Sequence, residues 1–261
     1  MDPDEASNEG LGPPENAFPP THVPWSVGEG LLLVVTFILI HQAASAIGRV
    51  AAPSEGRLLF SLGVGSGAVL LVFYFFLRGR SKPTADAARV IGLYVPALGP
   101  AIRRSIVPLA LGAAALSAYM IARAGMLQYL DISPIQQPIV NKLRGLLGQG
   151  DVIHLGVLVF LAVTVVPVAE ELAFRGMLYL PLRARVGPVP AAAAVSVIFA
   201  TLHWQQAAPI ENLAVMGYLI ILALVLTAFM EAARSILAPI LAHAAHNALM
   251  IALIILAGGG T

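Results

Sequence analysis

Residues 152–176 read VIHLGVLVFLAVTVVPVAEELAFRG, an apolar run closing on two adjacent glutamates, Glu170 and Glu171, with Arg175 one turn further on. Val152–Ala169 has the length needed to cross a ~30 Å hydrocarbon layer as a helix. Placing ionisable groups against such a run costs roughly 2.5–3.5 kcal/mol each on insertion scales, so they mark a function by default. Outward from this stretch, further apolar runs of spanning length lie at Gly30–Ile47, Leu58–Leu77, Ser105–Ile121, Pro188–Trp204, Asn212–Phe229 and Ile236–Leu256. The expected fold class is an all-α polytopic membrane protein of seven transmembrane helices around a polar intramembrane cavity. Two amphipathic stretches, Ala87–Ile102 and Met126–Gln149, are expected at the interface or re-entering the membrane, and the count is eight if one of them crosses.

Composition agrees. Hydrophobic residues make up 58% of the 261 and charged residues 11%, against about a quarter charged in soluble domains. That excludes a water-exposed globule and a disordered chain. The net charge of +1 offers no footing for nucleic acid or another polyanion. There is no cysteine, hence no disulfide, thiolate metal site or cysteine nucleophile.

Residues 1–24 stand apart. They hold Asp2, Asp4, Glu5, Glu9 and Glu15, several prolines and no Lys or Arg, the composition of a disordered acidic tail; without a basic n-region it is not a signal peptide. Residues 25–261 are expected to form one helical membrane domain. Counted by loop, Arg78, Arg80, Lys82, Arg89, Arg103, Arg104, Arg175, Arg183, Arg185 and Arg234 fall on one side. Arg49, Arg57, Arg123, Lys142 and Arg144 fall on the other. The excess of positive charge predicts a cytoplasmic N-terminus and an external C-terminus.

Three polar clusters interrupt the apolar runs: Glu170-Glu171-x-x-x-Arg175, Phe199-x-x-x-His203 and His243-x-x-His246-Asn247. Glu171 and Arg175 are i,i+4 and can pair on one helix face. Glu170 sits ~100° around from Glu171 and is free to face a partner helix. If the fourth helix continues to a turn at Val186–Gly187, Glu170 and His203 both lie about 25 Å from it, at one level on antiparallel helices. His243 and Asn247 lie roughly 14–20 Å from the Arg234 loop, close to that layer. Trp204 suits an interfacial belt. His246 reads as cavity-lining, and His41 and His154 as structural. Gly63-Val-Gly-Ser-Gly67 reads as a small-residue packing face.

What the sequence lacks narrows the chemistry. No His precedes Glu, so the HExxH zinc helix is absent. The aspartates are 2, 4, 86, 131 and 151, none within a span, which excludes a paired-aspartate intramembrane protease. Val64 stands where a rhomboid-type GxSG around Ser66 needs glycine. A carboxylate and an imidazole remain to activate water, with a second imidazole and an amide to donate hydrogen bonds.

These motifs, in this order, resemble those of the CPBP intramembrane proteases, the CAAX prenyl endopeptidases and their bacterial relatives. The run Phe174-Arg-Gly-Met-Leu-Tyr179 resembles the family's usual continuation, and the likeness covers 152–256. The resemblance implies an all-helical fold and a glutamate-dependent endopeptidase without cofactor. Glu170 and His203 would activate water, His243 and Asn247 would form the oxyanion hole, and Glu171, Arg175 and Phe199 would support them. It also implies a membrane-anchored or lipid-modified protein or peptide as substrate, with membrane lipids as further partners. The Ala-, Gly- and Pro-rich composition suggests a bacterial cytoplasmic (inner) membrane. Two alternatives stay open: a catalytically silent scaffold or immunity protein of the same fold, and a metal-dependent hydrolase with Glu170, His203 and His243 on Zn²⁺.

Overall fold

The structure is a computed structural model that describes residues 19–20, 23–54, 56–80, 89–94, 96–131, 138–205 and 209–258. Within them the chain is helical. The elements are α1 (Val27–Ala51), α2 (Arg57–Arg80), α3 (Leu98–Tyr129), α4 (Pro138–Gln149), α5 (Val152–Val186), α6 (Pro188–Thr201), α7 (Pro209–Ala233) and α8 (Leu237–Gly258). Six of them, α1, α2, α3, α5, α7 and α8, are long and apolar enough to cross a membrane, and α6 is a shorter apolar helix. Together they match the expected count of seven for an integral, multi-pass membrane protein.

Local chemistry explains where helices begin and end. Ser26 and Glu29 form a reciprocal capping box that opens α1, and Glu29 also pairs with Arg80 at the end of α2. Asp151 accepts the His154 backbone N–H at 3.2 Å to open α5. That bond holds its carboxyl below the ordinary carboxylate range. Gly187 adopts φ +89°, which a side chain would resist, so α5 ends there and Pro188 starts α6. The turn lies where the depth argument needs it.

The structure differs from expectation at several places. The third span extends well past Ser105–Ile121 at both ends, absorbing Leu98–Ile102 and Met126–Tyr129 from the two amphipathic stretches. Pro138–Gln149 of the second stretch forms α4, whose Leu143 and Leu146 are buried with Leu59, Leu158 and Leu161. Arg175 is not a loop residue, because α5 runs unbroken past it and buries it completely; it leaves the basic tally. Helix α6 stops at Thr201 rather than Trp204. Its 14 residues reach only about 21 Å, and Gln205 closes the turn through two hydrogen bonds with Asn212. Most of the acidic tail lies outside the described residues, but Val23, just inside its expected boundary, is buried in the main core.

The core gathers Trp25, Phe37, Phe73, Phe174, Met177 and Phe199 around α5. Prolines within α5 shape its contacts. Pro181 has no N–H, so the Met177 carbonyl one turn earlier lacks an i+4 donor; the Trp25 indole N–H donates to it at 2.9 Å. Such a bond is worth about 1 kcal/mol net. The small-residue face behaves as packing: Gly65 lets the His41 ring approach, and His41 accepts from the Ser66 hydroxyl at 3.3 Å. His154 pairs with Asp151 at the start of α5. On the far side α3 packs along α7, where the Tyr119 hydroxyl donates to the Ala214 carbonyl at 2.8 Å.

Candidate active site

Helix α5 is not a uniform α-helix. It widens to π geometry over Leu161–Val165 and again over Leu172–Tyr179, with Val166–Glu171 regular between them. Such bulges mark functional stretches, since each shifts side-chain register by one residue. The two glutamates sit on the regular segment between the bulges.

Glu171 is fully buried, and its Oε1 accepts from Arg175 Nη1 at 3.1 Å and from His243 Nδ1 at 2.9 Å. Arg175 Nη2 donates onward to the Ala223 carbonyl at 3.0 Å, and its guanidinium lies 5.3 Å from the centre of the Phe199 ring. Glu170 points the other way, as helix geometry predicted, with its Oε2 3.7 Å from His243 Nε2. His243 therefore lies between two carboxylates, one against each nitrogen. The expected Glu171–Arg175 pair is present, and it reaches the site through His243, a link that spacing could not reveal.

His203 lies in the turn after α6, not within the helix as expected. Its Nδ1–H donates to the Phe199 carbonyl at 3.0 Å, and its ring lies 4.9 Å from that of Phe199. That bond fixes the tautomer: a neutral His203 carries its lone pair on Nε2. Asn247 donates from Nδ2 to the Ala162 carbonyl at 2.9 Å.

Glu170, His203, His243 and Asn247 line one cavity of about 250 Å³. Two polar side chains join them, His246 and Tyr218, the hydroxyl of Tyr218 sharing a hydrogen bond with His246 Nε2 at 3.1 Å. His246 is cavity-lining as expected. Tyr218 was missed, although a tyrosine in the middle of an apolar run was a usable signal. The remaining wall is apolar and includes Ile139, Leu143, Leu158, Met250 and Ile254, so α4 covers part of the cavity. Among the described residues no group of three or more His, Asp or Glu side chains converges to hold a metal ion.

The arrangement can accept a proton at two points, donate hydrogen bonds at two more, and shelter an apolar chain beside them. No curated protein and no solved structure matches the chain. Residues 153–249, which carry all four of these polar side chains, match the family model of the Rce1-like type II CAAX prenyl endopeptidases, and this stretch is thus similar to the family whose three motifs the sequence resembles.

Proposed function

We propose that this protein is an intramembrane endopeptidase, hydrolysing a peptide bond of a membrane-anchored or lipid-modified protein or peptide. The observation that carries this reading is the meeting of Glu170, His203, His243 and Asn247, from three separate stretches of chain, on one cavity.

A water between the Glu170 carboxylate and His203 Nε2 finds two acceptors and is polarised by both. Glu170 takes its proton as the oxygen attacks the scissile carbonyl carbon. The oxyanion that forms is held by His243 Nε2–H and by the second N–H of Asn247 Nδ2. Because Nδ1–H is already given to Glu171, His243 must carry both ring protons to donate from Nε2, and the two facing glutamates supply the compensating charge. The proton on Glu170 then passes to the leaving amine. No acyl-enzyme forms, and no cofactor takes part.

The apolar wall beside this layer fits the hydrocarbon part of a membrane-anchored substrate. The chain would lie in a bacterial cytoplasmic membrane with its basic loops inside, and the site towards the outer half favours exported substrates. The test compares membrane proteomes of cells carrying wild type and Glu170→Ala at matched expression, reading new protein termini by mass spectrometry. Termini that vanish in the variant are the expected result. Identical termini, with the variant folded and present, refute proteolysis and favour a silent scaffold.

A further inference from the structure

The hydrogen bond that orients Asn247 exists because of a proline. Over Leu161–Val165 the backbone ladder runs from residue i to i+5, and the N–H of Val166 is given to the Leu161 carbonyl. The next carbonyl in that ladder is Ala162, and its donor would be residue 167. Residue 167 is proline, which has no N–H. A buried backbone carbonyl left without a donor is costly, and Ala162 is buried at 3% exposure. The Asn247 side chain from α8 supplies the missing N–H, at 2.9 Å.

This has a consequence for the amide. A primary amide has an accepting end and a donating end of nearly equal size, and its hydrogen-bond partners decide which way it faces. A carbonyl oxygen only accepts, so Ala162 compels Asn247 to turn its NH₂ towards α5. One N–H is then consumed and the other remains beside the cavity that Asn247 lines. With an N–H at residue 167, Ala162 would be satisfied within α5 and the amide could turn its Oδ1 into the site, where a lone pair repels a developing oxyanion.

We propose that Pro167 is a positioning residue for the reaction: by leaving the Ala162 carbonyl without a backbone donor, it sets the orientation in which Asn247 donates to the oxyanion. The inference rests on the endopeptidase reading for its catalytic meaning, while the orientation itself can be measured without activity.

The experiment uses the full-length protein in lipid nanodiscs and the variants Pro167→Ala, Asn247→Ala and the double variant. Asn247→Ala should lower kcat about 100-fold, the usual loss of one oxyanion donor. Pro167→Ala should lower kcat roughly tenfold with KM within about twofold, and should cost nothing further in the Asn247→Ala background, the signature of two residues acting as one. Equal losses in both backgrounds, or an unchanged kcat in the single variant, overturn the proposal. In parallel, ¹⁵N-asparagine labelling gives side-chain amide signals from only five residues, and Asn247→Ala assigns the one of interest. The proton given to Ala162 should exchange slowly in wild type and faster, with a changed shift, in Pro167→Ala; an unaltered pair overturns the proposal. If wild type and Glu170→Ala yield identical termini, the endopeptidase reading fails, and the amide signals still decide whether Pro167 orients Asn247.

Discussion

Replacing Arg175 with methionine separates two tasks that the buried ion pair performs. The Glu171 and Arg175 side chains are both 0% exposed and lie 3.1 Å apart. Removing the guanidinium leaves a carboxylate in a dry core with His243 as its remaining partner, and breaking a buried pair in this way costs about 3–5 kcal/mol. At 2–4 °C per kcal/mol for a chain of this size, the unfolding midpoint should fall by roughly 6–20 °C. Loss of the bond to Ala223 adds little, because that carbonyl also accepts from the Thr227 hydroxyl at 2.9 Å. The methionine can keep a sulfur–aromatic contact with Phe199. The paired variant Glu171→Leu with Arg175→Met leaves no charge unpaired and should return to within about 2 kcal/mol of wild type, as apolar replacements of buried pairs do. Its activity should not return. His243 loses both the acceptor for Nδ1–H and one of the two carboxylates that balance its second proton, so it no longer presents Nε2–H in a fixed orientation, and kcat should stay about 10²–10⁴-fold down. The assays are a thermal melt in detergent and cleavage of a substrate found by terminus mapping. A paired variant with wild-type kcat would refute the link from Glu171 to His243. Equal midpoint losses in the single and paired variants would refute the unpaired-charge argument and point to volume instead.

Two further outcomes follow from packing and from the cavity. A Cβ at Gly30 would overlap the Met177 carbonyl, whereas one at Gly67 meets nothing within 4 Å. Gly30→Ala should therefore cost about 1–3 kcal/mol of stability by pushing α1 from α5, and Gly67→Ala should be neutral or gain up to ~1 kcal/mol, both read as midpoint shifts. Tyr218→Phe removes the hydroxyl hydrogen-bonded to His246 and leaves Glu170, His203, His243 and Asn247 untouched. It should change KM more than kcat and lower stability by about 1 kcal/mol; a loss in kcat as large as that of Glu170→Ala would instead put Tyr218 in the chemistry.

What could be read before the structure was whatever depends on spacing along one helix. The i,i+4 pairing of Glu171 with Arg175, the opposite aim of Glu170 and the shared face of His243 and Asn247 all follow from 3.6 residues per turn. The turn at Gly187 follows from glycine and proline side by side. Depth counting also brought α5, α6 and α8 to one layer, although it treated α5 as regular and carried α6 three residues too far at its end. The helix ends early because Gln205 and Asn212 bond each other's polar groups, a pairing across seven residues that hydropathy does not register. The cover that α4 gives the cavity was legible only as amphipathicity, since nothing in 138–149 says which neighbour its Leu143 and Leu146 will meet.

The bonds that crossed between helices were hidden for a more general reason. Pro167 and Pro181 each advertise an unsatisfied carbonyl nearby, but a sequence does not say which distant donor will answer. Here the donors are a side-chain amide from α8 and an indole from the residues before α1. Both answers are constrained once the fold is given, because buried carbonyls in an apolar layer have no water to turn to. The two prolines thus perform the same physical act with different results. Pro181 fastens the N-terminal segment to α5 through Trp25. Pro167, three residues before the glutamate that would activate water, fastens the amide that would receive the negative charge. A proline within a membrane helix that carries catalytic groups is in this chain less a kink than a vacant acceptor, and its partner is the residue to look for.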